Sequence, residues 1–151
     1  MLKDSNHIDF RGSSIKGHDI EMRIDGRLLK INAKGTTERD SKGFPRWVRQ
    51  HARNYVKIIP QISGMVRIEV LKEYDPEFYY VFVDIRKWLD NKAPDFYVLS
   101  DKDAKQIFGN KYRKACDGIP ARKNDSDDMW IEYKDIKRYK NNSLPLTGKE
   151  Q

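Results

Sequence analysis

The stretch that decides the fold is GHDIEMRIDGRLLKINAKGT, residues Gly17 to Thr36. Asp25 and Gly26 stand between two runs in which apolar and polar residues alternate. This dipeptide favours the two-residue turn of a β-hairpin, because both central residues of that turn adopt positive φ. The predicted turn pairs Ile24 with Arg27, and that pair fixes the register of the whole hairpin.

The register gives the hairpin one apolar and one polar face, because side chains alternate along a strand. The apolar face consists of Ile20, Met22, Ile24, Leu29, Ile31 and Ala33. On the polar face, Asp19 lies directly opposite Asn32, and Lys34 is diagonal to Asp19. Glu21 shares this face. We therefore expect Asp19, Asn32 and Lys34 to converge at the open end of the hairpin.

A carboxylate, an amide oxygen and a lysine at one place suit metal-assisted phosphodiester chemistry. Asp19 and Glu21 could bind a hard divalent cation such as Mg²⁺ or Mn²⁺, and Asn32 could add a neutral oxygen ligand. Lys34 could orient the attacking water or stabilise charge on the phosphate. The same residues would also make an ordinary solvated hairpin face with cross-strand pairs such as Glu21–Lys30, and the hairpin alone leaves both interpretations open.

Composition limits the class of protein. The chain has 151 residues, enough for one domain, and 35% of them are charged. Its net charge of +7 favours polyanionic partners. No apolar run approaches the roughly 20 residues that span a bilayer, and the N-terminus lacks the apolar core of a secretory signal, so we expect a cytoplasmic protein. The single cysteine excludes an internal disulfide and a cysteine-rich zinc site.

The rest of the chain predicts an α/β (α+β) single domain, in which a mixed β-sheet with a β-hairpin core is flanked by two helices. Strands are expected in MVRIEVLK, FYYVFVDI, DFYVLS and MWIEY. A helix should begin at Ser100, which forms a capping box with Asp103. We divide the chain into an irregular segment 1–16, a domain 17–134 and a mobile tail 135–151.

The other helix is predicted over residues 45–57, PRWVRQHARNYVK, after a proline that suits a first helical turn. Apolar residues recur at spacings of three and four. Between them lies a basic stripe of Arg46, Arg49, Arg53 and Lys57, and no acid occurs in this stretch. Such a face could contact a phosphate backbone, or it could simply be solvated.

The hairpin resembles the core of the PD-(D/E)XK nuclease superfamily, which has the restriction-endonuclease-like fold. In that family an aspartate near the start of one strand precedes a (D/E/Q)-x-K string on the next. Gly17-His18-Asp19-Ile20 is similar to the first element, and Asn32-Ala33-Lys34-Gly35-Thr36 to the second. FYYVFVDI and PDFYVLSDKDAK are similar to segments of small bacterial proteins placed in this superfamily, so the resemblance extends from Gly17 to Lys114.

The resemblance implies a Mg²⁺- or Mn²⁺-dependent endonuclease that acts on nucleic acid, with DNA favoured over RNA. The oligomeric state stays open, and a homodimer is one alternative. Asp19, Asn32 and Lys34 would be its catalytic residues. Asn32 departs from the usual Asp, Glu or Gln, and an amide brings no charge to the cation. The alternative is therefore a catalytically degenerate protein that keeps the fold and binds nucleic acid or a protein partner.

Overall fold

The computed structural model describes residues 7–10, 20–120 and 127–147. The strands are β1 (His7–Phe10), β2 (Ile20–Ile24), β3 (Arg27–Thr36), β4 (Arg46–His51), β5 (Val56–Pro60), β6 (Val66–Val70), β7 (Phe78–Asp84), β8 (Asp95–Ser100) and β9 (Asp128–Glu132). The helices are α1 (Ile85–Leu89), α2 (Asp101–Cys116), α3 (Tyr133–Ile136) and α4 (Leu144–Thr147), with 3₁₀ turns at Ala52–Asn54 and Lys137–Tyr139.

The predicted hairpin is confirmed. Asp25 and Gly26 both have positive φ, as the two-residue turn requires. Ile24 pairs with Arg27, and the register continues to the pair of Ile20 and Ile31. β2 and β3 are therefore aligned residue by residue as the turn dictates.

The main sheet has five strands in the order β1-β2-β3-β7-β8. β3 and β7 run parallel, and the other neighbouring strands run antiparallel. The sheet is therefore mixed and the fold is α+β, as predicted. β7 is central and covered on both faces, because Tyr80 and Phe82 enter one apolar cluster and Tyr79 enters another.

The larger cluster lies between the main sheet and α2. Phe108 of α2 contacts the rings of Phe82 and Tyr55 edge-on. Ser100 accepts a hydrogen bond from the Asp103 amide at the start of the helix, which is the N-cap half of the predicted capping box. Gly109 permits close packing here, because a Cβ at this position would lie 2.7 Å from a methyl group of Val70.

The helix predicted over residues 45–57 is wrong. Arg46–His51 is a strand that pairs with β9, and a 3₁₀ turn separates it from β5. Arg49 has a φ of 57°, which an α-helix cannot contain. The short turn reproduces a helical spacing over a few residues, and the partner strand lies about 80 positions later, where local periodicity cannot detect it. α2 is therefore the one long helix among the described residues.

The segment after residue 134 packs against the rest of the fold as far as the structure describes it. Ile136 and Tyr139 belong to the larger core cluster. Asn141 accepts a hydrogen bond from the Phe96 amide and donates one to Asp95. The residues expected to form a tail thus contribute to the core and to the edge of β8.

Candidate functional site

The polar face of β3 carries Lys30, Asn32 and Lys34 at alternate positions. In the parallel register these three residues lie beside Phe78, Tyr80 and Phe82 of β7. Tyr80 and Phe82 belong to the cluster that packs against α2. The polar face of the hairpin is therefore turned toward α2, where groups from distant parts of the chain meet it.

Asn32 opens into a small polar pocket of about 260 Å³. The pocket is lined by Asn32, Asn54, Asp75, Phe78, Tyr80, Asp101 and Lys105. The Asn32 Oδ1 atom is buried and has no hydrogen-bond partner among the described residues. A buried acceptor without a partner costs free energy, so this oxygen is suited to a ligand that supplies a donor or a cation.

Two carboxylates in the pocket are held by lysines and by the backbone. Asp75 accepts from Lys30 Nζ at 2.5 Å, and its own amide donates to the buried Asp101 at 2.9 Å. Lys105 Nζ donates to Asp101 at 2.8 Å and to the Glu73 carbonyl oxygen at 2.6 Å. These bonds tie the loop before β7 to the first turn of α2 and fix both carboxylates beside Asn32.

The ionisation of the pocket follows from these contacts. The hydrogen bond to Asp75 is the main cause that raises the pKa of Lys30, against an opposing effect of burial, and the charges of Asp75, Glu77 and Glu21 add to it. The same bond lowers the pKa of Asp75. Both groups are therefore charged at neutral pH.

Two buried tyrosines border this charged network. Burial raises the pKa of Tyr80, and the nearby Asp101 carboxylate raises it further. Burial also raises the pKa of Tyr55 well above its ordinary value, with Tyr80 and Asp101 as additional causes. The Tyr55 hydroxyl has no hydrogen-bond partner among the described residues. Both phenols therefore stay protonated near the pocket.

Among the predicted catalytic residues that the structure describes, Asn32 belongs to this pocket. Asn32 lines the pocket, and Lys34 follows it by two residues on the same strand face. Trp47 Nε1 donates to the Lys34 carbonyl oxygen at 3.1 Å and fixes the backbone there. Glu21 pairs with Lys30, which lies two residues before Asn32 on β3. Asp19 lies outside the described residues.

The four predicted nucleic-acid contacts do not share one helix face. Arg46 lies over the Trp130 ring, 4.6 Å from its centroid. Arg53 lies 3.6 Å from Asp127, which offsets its charge. Lys57 is exposed on β5, opposite Glu69. Arg49 projects from an irregular point in β4. The basic stripe read from the sequence is thus divided among two strands and a turn.

Sequence reasoning missed Asp75, Asp101 and Lys105. Asp75 lies between two predicted strands and Asp101 follows the predicted helix start at Ser100, and neither position is assigned a role from the sequence. A signal was present, because Asp75 precedes the central strand β7 and Asp101 directly follows β8. Carboxylates at the ends of buried strands are candidates for a site, although their meeting with Asn32 depends on the sheet order.

A second group of ligand atoms lies at the far end of β4. One ligand atom each from His51, Asp127 and Asp128 lies within 4.8 Å of the others. His51 and Asp128 are exposed, and Asp127 also contacts Arg53. Exposed acidic groups commonly occur in this arrangement without an ion, and we assign no metal site there.

Comparisons with known proteins add little information about function to what the residues of the chain indicate. No protein-family model matches the chain, and no curated protein matches it. Among solved structures, the chain is similar to that of a bacterial homing endonuclease, I-Ssp6803I, with 14% sequence identity and a TM-score of 0.39. The match covers 72% of this chain and 62% of that chain. A likeness of this size assigns neither a family nor an activity to the chain.

Proposed function

We propose that this protein is a metal-dependent nuclease of the PD-(D/E)XK type that hydrolyses phosphodiester bonds in nucleic acid, DNA rather than RNA. The observation that carries the proposal is the buried Asn32 Oδ1, an acceptor without a partner among the described residues, in a pocket with two carboxylates. The resemblance of Asn32-Ala33-Lys34-Gly35-Thr36 to the family string supports it, as does the net charge of +7.

The donor set suits Mg²⁺ or Mn²⁺, which prefer oxygen ligands. Asn32 offers an unused oxygen, and Asp19 and Glu21 are the further ligands that the sequence suggests. Asp75 and Asp101 share the pocket, but each is ion-paired with a lysine. A bound metal ion would supply Lewis-acid chemistry, activating a water molecule and neutralising charge on the phosphate.

Further roles in catalysis are proposed for Lys34 on β3 and for Trp47 on β4, which contacts it. Lys34, on the face that carries Asn32, would orient the attacking water or stabilise negative charge on the phosphate. Trp47 would act through the Lys34 backbone, which it holds by a hydrogen bond. We propose that the phosphates are contacted by four basic side chains on β4, on β5 and on the 3₁₀ turn between them, namely Arg46, Arg49, Arg53 and Lys57.

A second candidate function is nucleic-acid binding without catalysis. Two features favour it. Asn32 is neutral where the family string usually has a carboxylate or Gln, and the carboxylates of the pocket are already neutralised by Lys30 and Lys105. In this case the fold would be retained as a basic binding surface.

One experiment separates the two functions. Purified protein is incubated with duplex, single-stranded and structured DNA and RNA in Mg²⁺, Mn²⁺ or EDTA. Cleavage products are resolved on a denaturing gel and complexes on a native gel. We expect cleavage that requires the metal ion and is lost in Lys34→Ala. Metal-independent binding with no cleavage of any substrate would overturn the nuclease proposal and support the binding function.

A further inference from the structure

Two exposed aromatic rings lie on or next to the ribbon formed by β4 and β9. Trp130 in β9 is 51% exposed, and Phe44, just before β4, is 43% exposed. Arg46 lies over the Trp130 ring, and Phe44 stacks in parallel on Tyr133 with ring centroids 4.6 Å apart. These rings are fixed in place by their neighbours while large parts of their surfaces remain open to solvent.

The ribbon also contains a β-bulge that carries an exposed arginine. β4 has one more residue than β9 between Trp47 and Gln50. Arg49 lies in this bulge with a φ of 57°, a conformation that costs free energy for a residue other than glycine. Bulges of this kind redirect side chains and are frequent beside functional sites. Arg49 is exposed and forms no ion pair with a described residue.

The acids of the ribbon are engaged with other groups. Glu132 lies 3.3 Å from both Lys111 and Lys134, and Asp127 contacts Arg53. Asp128 lies 4.0 Å from His51, which is a cation only when its imidazole is protonated. Glu132 and Asp127 are thus paired with cations, and Arg46 and Arg49 add positive charge around Trp130.

The ribbon is attached to the strand that carries Lys34. The Thr36 hydroxyl donates to the Arg46 carbonyl oxygen at 2.7 Å, and Trp47 Nε1 donates to the Lys34 carbonyl oxygen at 3.1 Å. The ribbon is therefore joined to the end of β3 that carries the proposed catalytic lysine.

We propose that the face formed by Phe44, Arg46, Arg49 and Trp130 binds unpaired bases of a nucleic acid strand. This inference rests on the proposed function and adds to it a preference for single-stranded or locally opened substrates. Exposed aromatic rings stack on bases whose faces are free, and the neighbouring arginines fit the phosphates between them. In a duplex the base faces are covered, so the rings would have nothing to stack on.

The test measures binding without cleavage. A fluorescein-labelled 12-nucleotide oligo(dT) is titrated with protein in EDTA and followed by anisotropy, and the same strand annealed to oligo(dA) provides the duplex. We expect tighter binding to the single strand. Trp130→Ala should weaken that binding about tenfold, the effect of losing one base–aromatic stack, with little change for the duplex.

Matched variants control for folding and for nonspecific effects. Trp130→Tyr keeps an aromatic ring and should bind the single strand nearly as well as wild type. Trp88→Ala removes a more exposed tryptophan, 64% accessible in α1, and should leave affinity unchanged. In Trp88→Phe, Trp130 is the remaining exposed tryptophan, because Trp47 is buried, so oligo(dT) should quench its emission.

The outcomes distinguish this inference from the proposed function. Single-strand binding that depends on Trp130, in a protein that cleaves nothing, would support the binding face and overturn the nuclease. Cleavage with unchanged single-strand affinity in Trp130→Ala would overturn the binding face alone. Equal losses for single strand and duplex would also overturn it, because phosphate contacts rather than base stacking would then explain the effect.

Discussion

Trp47 Nε1 donates a hydrogen bond to the carbonyl oxygen of Lys34 at 3.1 Å, so a buried ring on β4 holds the backbone of the proposed catalytic lysine on β3. The same ring packs edge-on against Phe82 and Tyr97. One residue thus links the ribbon, the main sheet and the candidate site.

Trp47→Phe should reduce the free energy of unfolding by about 2–4 kcal/mol. The change leaves the Lys34 carbonyl without its donor and creates a cavity in the core. Urea denaturation measures the loss. Trp88→Phe, at an exposed position, is the control and should change stability by less than about 0.5 kcal/mol. Equal stabilities of the two variants would show that Trp47 does not support the strand.

Lys34→Ala should lower the rate of cleavage at least ~10²-fold, a loss typical of removing one electrostatic stabiliser. The fold should persist, because Lys34 lies outside the core clusters. Single-turnover cleavage assays and circular dichroism test both statements. Lys42→Ala, at an exposed loop position, should cleave at the wild-type rate. Unchanged cleavage by Lys34→Ala would refute the proposed role.

Asn32→Asp should make the stability of the protein depend on metal. The new carboxylate lies in the pocket of Asp75 and Asp101, so the added negative charge should lower the melting temperature in EDTA. Mg²⁺ should restore it, since a charged oxygen binds the cation more tightly than an amide does. Differential scanning fluorimetry with and without Mg²⁺ is the measurement. The same melting temperature in both buffers would argue against a cation site at position 32.

Removal of Lys30 should give a stability loss that depends on pH. The pKa of Asp75 is lowered in the folded protein, so its contribution is present above the unfolded pKa and disappears as the pH falls through the folded pKa. The pKa of Lys30 is raised, so its contribution is present below the unfolded pKa and disappears as the pH rises through the folded pKa. Lys30→Met should therefore be destabilised most near neutral pH.

The size of this loss is limited by solvent, because both side chains are about one-third exposed. We expect about 0.5–1 kcal/mol at pH 7, shrinking toward acid and toward strong alkali. Urea denaturation across the pH range gives the profile, and Lys102→Met, on the exposed side of α2, should show no such dependence. A difference that is constant with pH would mean that the pair does not contribute through its charges.

Gly109→Ala should destabilise the protein even though alanine is the better helix former. A Cβ at position 109 would lie 2.7 Å from a Val70 methyl group and 3.1 Å from the Tyr55 carbonyl oxygen. The overpacking should cost about 1–3 kcal/mol, more than the ~1 kcal/mol gained in helix propensity. Thermal unfolding checks the sign. Gln106→Ala, on an exposed position of α2, should be neutral or slightly stabilising.

The sequence determined the elements whose rules are local. The Asp25-Gly26 turn set the register of β2 and β3, because a two-residue turn leaves one pairing. Ser100 marked the start of α2, and the apolar run from Phe78 predicted a strand, since burial on both faces requires apolar residues at consecutive positions. Asn32 and Lys34 were placed on one strand face by alternation alone.

Which residues lie against that face of β3 depends on the tertiary structure. The local spacing of residues 45–57 predicts a helix, whereas the pairing of β4 with β9 depends on residues about 80 positions away. The parallel placement of β3 beside β7 brings Asp75 and Asp101 to Asn32, and no local pattern encodes a sheet order. Hydrogen bonds and burial between distant segments outweigh short-range periodicity, so the pocket exists only in the folded chain.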